Sequence, residues 1–284
     1  MRIPPAVVGT GLALLLAGIA LPARDRVRAR SEEVQLPLSS LSASGQAVSP
    51  VFEGWYPNAD GTFSLSFGYY NRNAEEVVEI PIGPNNFIAP GAQNQGQPSL
   101  FHARRHWGVF AVKVPANFGR KNEVTWTLKF RGETYAIPGG LDPRWQIDAL
   151  EGEAGAGNTP PVITLDASGA EARGPGGAAT GPLKAVVGQP LAINVKVRDD
   201  GRGGRGAASV TFAWFKHQGP GVVTFSQATG RAAAAGGDAA TTATFSEPGD
   251  YVLRLRANDV SGVANAGHAQ CCWTNGFVKV TVGR

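Results

Sequence analysis

The residues richest in recognition chemistry lie in one stretch, Gly83 to Trp107, which reads GPNNFIAPGAQNQGQPSLFHARRHW. Asn85, Asn86, Gln95 and Gln97, with Gln93 and Asn94 beside them, offer amide donors and acceptors. Arg104 and Arg105 offer planar forks, and Trp107 offers an aromatic face. These are the groups that hold a sugar, because amides match hydroxyls in both directions and an aromatic ring stacks on the apolar side of a pyranose. Connections longer than about 12 residues without strands are uncommon unless functional or disordered, so these residues are the expected ligand site. The same amides would equally satisfy the backbone of a compact Ω-type loop.

Three other clusters could carry chemistry. His102 and His106 are four apart, a spacing that on a helix would face one metal. The surrounding sequence is extended, where side chains four apart lie about 13 Å from each other, so a solvated basic loop is expected. Asp199-Asp200-Gly201 has the start of a calcium loop without its alternating acids or terminal Glu, and reads as a plain acidic turn. Cys271 and Cys272 are the only cysteines and are adjacent. A disulfide between neighbours leads the expectation, ahead of one buried and one exposed thiol or a bridge to another chain. Such a ring, with Trp273, would make a small hydrophobic ligand platform. No P-loop, Gly-x-Ser-x-Gly elbow or His-Glu-x-x-His sequence occurs, so no catalytic residue, metal or cofactor is expected.

The elements that must position these residues are strands. Phe63, Leu65, Phe67 and Tyr69 alternate with Thr62, Ser64, Ser66 and Gly68, the period of a half-buried strand, and Asn58-Ala59-Asp60-Gly61 supplies its hairpin turn. Trp55 and Tyr56 sit in the partner strand. Similar runs at Val77 to Ile82, Gly108 to Val114, Glu123 to Phe130 and Glu133 to Ile137 complete six strands, with no helical periodicity. Glu151 to Asn158 then has nothing to bury. A second set follows at Val162 to Leu165, Pro190 to Val197, Val210 to Phe215, Val222 to Phe225, Thr241 to Phe245, Tyr251 to Ala257 and Phe277 to Val282. Between them, Ser168 to Gly181, Gly201 to Ala208 and Thr229 to Ala239 are rich in Gly and Ala and read as flexible surface loops.

The fold class is therefore all-β, two tandem immunoglobulin-like β-sandwich domains after an N-terminal signal segment. The expected order is a signal peptide over 1–23, an extended lead-in over 24–49, a sandwich over 50–148, a linker over 149–158 and a second sandwich over 159–284. The leader rests on Arg2, the apolar run from Val7 to Leu21, and the small residues Gly18, Ala20 and Ala23 near the cut. The formal charge of +4 is misleading, since residues 1–30 alone contribute +4 while 31–150 carry −2 and 151–284 carry +2. Nucleic-acid binding loses its support with the leader, and membrane insertion is not expected after cleavage.

A resemblance adds to this reading. SVTFAWFKHQGPGVVTFS, with Trp214, and TTATFSEPGDYVLRLRAND, with Tyr251, are similar to the PKD-like immunoglobulin-type domains of secreted bacterial and cell-surface proteins. The likeness spans residues 158–284 and departs from the pattern at the Ala/Gly insertion of 229–239. It implies a buried strand tryptophan, a tyrosine corner at Tyr251, and a spacer, adhesion or carbohydrate-proximal role without catalytic residues. FSLSFGYYNRN, IPIGPNNFIAPG and WTLKFRGETYAIPG in the first half resemble an uncharacterised exported bacterial β-domain. The function expected is an exported, non-catalytic binding or structural module, secreted, periplasmic or at the cell surface, with a glycan or protein partner outside the cytoplasm. The alternatives are a secreted hydrolase acting on polysaccharide and a surface-layer or filament subunit.

Overall fold

The computed structural model describes residues 42–150, 157–165, 169, 171–202, 208–259 and 271–284. The signal segment, most of the lead-in and most of the linker lie outside the described residues. Leu41–Arg284 form one compact unit. No helix among the described residues is long and apolar enough to cross a membrane.

The fold is all-β. The N-terminal half runs β1 (Val48–Pro57), β2 (Phe63–Asn71), β3 (Val78–Glu79), β4 (Asn86–Ala89), β5 (Leu100–Phe101), β6 (Arg104–Val114), β7 (Glu123–Phe130) and β8 (Glu133–Gly140). Two three-stranded antiparallel sheets, β1-β2-β6 and β4-β7-β8, close over a common core, with β3-β5 as a small separate ladder. Leu65 and Phe67 of β2, Phe110 of β6 and Trp126 and Leu128 of β7 are at most 1% exposed in that core. Phe67 stacks on Phe110, and both rings meet Trp126 edge to face, geometries that add to simple burial of apolar area.

The C-terminal half runs β9 (Val162–Thr164), β10 (Glu171–Ala172), β11 (Ala178–Val186), β12 (Leu191–Ile193), β13 (Lys196–Arg198), β14 (Ser209–Gln218), β15 (Val223–Phe225), β16 (Thr229–Ala233), β17 (Gly237–Asp238), β18 (Thr241–Phe245), β19 (Gly249–Asn258) and β20 (Trp273–Gly283). A five-stranded sheet, β11-β20-β19-β14-β16, shares its core with β12-β18-β15 and β10-β9-β13-β17. The pairing of β11 with β20 is parallel, and every other ladder between these strands is antiparallel. Trp214 is buried and stacked on Phe225. The Tyr251 hydroxyl donates to the Glu247 carbonyl at 2.7 Å, the tyrosine corner of an immunoglobulin-like sandwich.

Several sequence expectations need correction. The stretch from Gly83 to Trp107 is not one strandless connection, because it contains β4, β5 and the start of β6. Two Gly/Ala-rich segments read as flexible loops contain ordered strands: β10 and the start of β11 in the first, β16 and β17 in the second. These strands lie against partners whose own side chains fill the core, so small residues suffice. Residues 203–207 of the third lie outside the described residues. The end of the lead-in is also tied down: the Gln46 N–H donates to Asn73 Oδ1 at 2.6 Å, and β1 begins at Val48.

Strand β2 is buried on both faces rather than one. Ser66 is fully buried and Ser64 nearly so. Ser64 and Ala111 of this second face lie close to Gly176, from the C-terminal half, where a Cβ would collide with the Tyr56 hydroxyl. Small side chains there allow the two halves to approach closely.

Candidate functional site: a groove at the junction of the two halves

The outer face of the five-stranded sheet is where the halves meet. Inward residues of β14 and β19, such as Trp214, Leu253 and Leu255, fill the C-terminal core. Their alternates Phe215, His217 and Arg254, with Asn275 and Phe277 of β20, face the N-terminal half. The Ser99 N–H donates to the His217 carbonyl at 2.8 Å. His217 Nε2 lies 2.7 Å from the Gly96 carbonyl. Trp273 Nε1 and Asn275 Nδ2 both donate to the Gly108 carbonyl, at 3.2 and 2.7 Å. Lys216, almost buried, reaches Glu79 at 3.2 Å.

Along this seam lies a groove with two adjoining parts. One has a volume of about 410 Å³ and is lined by Asn94, Gln95 and Gln218, by the rings of Phe110 and Phe277, and by Lys279. The other, about 380 Å³, is lined by Tyr56, Asp60, Ser64, Lys113 and Arg173. Ala111 and Gly176 line both parts, so the two adjoin.

The electrostatics of the groove are mild. His217, also in the first part, is held neutral, its pKa pushed down to about 3 by burial and by the nearby positive charge of Arg254. Asp60 is held well below the usual carboxylate range by hydrogen bonds from Lys113 and Thr62. Among the described residues lining the groove it is the one carboxylate, and it sits 2.6 Å from Lys113 Nζ. A glycosidase-type reaction needs two carboxylates across the bond. The described lining offers amide hydrogen bonding and the partly exposed ring of Phe277.

The residues expected to bind ligand are dispersed by the fold. Asn94 and Gln95 line the groove, and Gln95 Nε2 is braced by the carbonyls of Pro90 and Ala92 at 2.7 and 3.0 Å. Asn86 is fully buried: it donates to the Ile80 and Pro98 carbonyls at 2.9 and 2.8 Å and accepts from Trp126 Nε1 at 3.0 Å. Gln97 is fully buried and bonds Gln93 and the Gln95 N–H within its own loop. A buried amide satisfied by backbone is structural, because freeing it would leave those partners unsatisfied. Asn85 is exposed, outside the groove.

Arg104, Arg105 and Trp107 lie on β6, away from the groove lining. Arg105 pairs with Glu53 at 2.7 Å and stacks over Trp107, with Cζ 3.8 Å from the ring centroid. Glu53 is buried, and that burial holds its carboxyl above the ordinary range even though Arg105 and the Gly108 N–H oppose the shift. Arg104 takes a left-handed φ of 73° and lies over Tyr70 at 5.3 Å. Trp55 donates to the Asp142 carbonyl at 2.7 Å and packs edge-on against Phe63, so it is a hairpin anchor.

The histidine pair also departs from expectation. The ring centroids of His102 and His106 are 6.0 Å apart, not about 13 Å, because His102 precedes the strand and Arg104 turns the backbone between them. Cys271 and Cys272 form a disulfide, both buried, with sulfurs 3.9 and 3.8 Å from the Asn158 carbonyl. Trp273 beside them is 2% exposed and engaged with Gly108, so it offers no ligand platform. Asp199 and Asp200 cap their own turn through the N–H groups of Gly201 and Arg202. Among the described residues no group of three His, Cys, Asp or Glu side chains is placed to hold a metal.

Gln218, Phe277 and Lys279 had no signal as a site, since they sit inside strands with ordinary alternation. No family model and no curated protein matches the chain. Among solved structures, the D00-D0 domain of intimin overlaps 83% of this chain and 100% of its own, at 14% identity and a TM-score of 0.24. Domains 4 and 5 of the S-layer protein SbsC overlap 84% of this chain and 98% of theirs, at 11% identity and a TM-score of 0.22. A Porphyromonas gingivalis W83 protein of unknown function overlaps 83% and 100%, at 9% identity and a TM-score of 0.24. Scores this low add nothing to the fold read directly from the strand pairing.

Proposed function

We propose that this protein is an exported, non-catalytic binding module acting outside the cytoplasm, with sandwich modules near 50–148 and 159–284, the second of PKD-like type. Its ligand is an extended, polar and largely uncharged chain, of which a glycan strand is the best chemical fit, lying along the seam between the modules. The supporting observation is the groove lined by Asn94, Gln95 and Gln218 beside the partly exposed ring of Phe277. Amides there meet hydroxyls, and the Phe277 ring takes the apolar face of a sugar. Ligand sites favour such clefts between modules. Export rests on the N-terminal sequence.

The test compares glycan-array and polysaccharide pull-down binding by the mature protein, a Gln95→Ala/Lys279→Ala variant and a Trp107→Ala variant. Loss in the first variant with retention in the second supports the groove. Loss in the Trp107 variant alone returns the site to β6, and equal binding by all three removes both assignments.

A further inference from the structure

Beside the groove, and lining no part of it, Phe215 is surrounded by cationic and imidazole groups. Arg254 Cζ lies 4.5 Å from its ring centroid and Arg256 Cζ 5.6 Å. The His102 ring is 5.3 Å away and the His106 ring 6.3 Å. Arg254 and Arg256 are alternate residues of β19 and so share one face of the sheet, opposite the histidines of the N-terminal half.

The charges there are unbalanced. Arg254 is 2% exposed, and among the described residues its guanidinium makes one hydrogen bond, from Nη1 to Asn275 Oδ1 at 3.2 Å. Its Nε, the Nε of Arg256, His102 Nε2 and His106 Nδ1 are buried atoms without a hydrogen-bond partner. No carboxylate among the described residues forms an ion pair with either arginine. The Arg254 guanidinium is pulled down to about 9, first by burial and then by Arg256, with only Tyr69 acting the other way.

Burying a guanidinium without a counter-charge is costly, and stacking on an aromatic ring offsets only part of that cost. A guanidinium pair with free N–H donors is the arrangement that recognises oxyanions through charge-assisted bonds. Arg256, His102 and His106 each keep some exposed surface, whereas Arg254 is enclosed.

We infer that the space between Arg254 and Arg256 on β19 and His102 and His106 on the N-terminal half is an oxyanion-binding site, with Phe215 as its floor. The oxyanion is either a free inorganic ion or the acidic group of a larger ligand such as an acidic sugar. In both cases Arg256 supplies the accessible fork and Arg254 Nε the deep donor.

Calorimetric titration of the mature protein with sodium phosphate, sodium sulfate and sodium glucuronate, at ionic strength matched with sodium chloride, tests this. Titration is needed because sulfate raises thermal stability by exclusion from any protein surface. The expected result is saturable one-to-one binding in at least one arm, weakened about tenfold or more in Arg256→Gln, a loss of about 1.4 kcal/mol. Circular dichroism of that variant in chloride should match wild type, and His102→Gln serves as the second variant. Binding of phosphate or sulfate identifies an inorganic ion, and binding of glucuronate alone an acidic sugar. The inference is overturned if no arm exceeds chloride, or if both variants bind as tightly as wild type. Neither outcome bears on the groove, whose test uses other residues and neutral glycans.

Discussion

Asn94 and Gln218 exchange two amide hydrogen bonds across the seam: Asn94 Nδ2 donates to Gln218 Oε1 at 3.2 Å, and Gln218 Nε2 donates to Asn94 Oδ1 at 3.0 Å. Gln218 Nε2 also reaches the Gln97 carbonyl at 2.6 Å. One side chain of the C-terminal half thus fixes the loop that forms the groove rim. Gln218→Ala is expected to lower unfolding free energy by about 1–2 kcal/mol in urea titration, since these bonds are partly solvated. Adding Asn94→Ala to that variant should cost less than Asn94→Ala costs alone, because the shared pair is already gone and only the bond from the Gly96 N–H to Asn94 Oδ1 at 3.1 Å remains to be lost.

Gly108 has a φ of +43°, and a Cβ there would strike the indole of Trp273. Its carbonyl meanwhile accepts from Trp273 and Asn275. Gly108→Ala therefore combines overpacking with an unfavourable backbone, and is expected to cost about 2–4 kcal/mol. A lowered thermal midpoint with a red-shifted tryptophan emission would report it.

Arg105 neutralises a carboxylate that is otherwise enclosed. Removing it in Arg105→Met leaves Glu53 buried without its cation, at a cost of about 3–5 kcal/mol. Glu53→Gln should cost less, and the double variant should regain much of the stability lost in Arg105→Met. Urea midpoints of the four proteins at pH 7 measure this cycle. Loss of ligand binding in an Arg105 variant would thus report unfolding before it reported a missing contact.

The seam should also be sensitive to acid. Burial, aided by Arg254, pulls His102 down to about 4 and His106 and His217 to about 3. In the unfolded chain each titrates near 6.5, so the folded state binds fewer protons below that pH. Stability is intact above pH 6.5 and is lost progressively as the pH falls toward 4 and then 3. Asp199, raised to about 6 mainly by burial, acts in the opposite sense, since its destabilising contribution fades as the pH drops from 6 to 3.8. Glu53, also raised by burial, acts in the same sense as Asp199; His217→Gln removes one depressed histidine and should make the loss of urea midpoint between pH 7 and 4 shallower than in wild type.

Much of the sandwich was legible because its core strands alternate. Glu123–Phe130 and Thr241–Phe245 match their predicted bounds, and Tyr251 forms the corner that the resemblance implied. The edge strands Ala178–Val186 and Thr229–Ala233 were not, since neither needs large side chains of its own to pair. At the candidate site the composition was legible but its direction was not. Asn86 and Gln97 look like ligand-binding amides until the fold turns them onto backbone carbonyls, and no pattern of residue types reveals that. Phe277 and Gln218 became groove residues only because the second half docks there.

The shared sheet face has a consequence for either half made alone. Phe277 completes the packing of the N-terminal half from a strand that belongs to the C-terminal one. Excising either half would strip a fitted surface from the other and leave Trp273, Phe277 and two arginines bare. Either half made alone is therefore expected to be less soluble than the full chain.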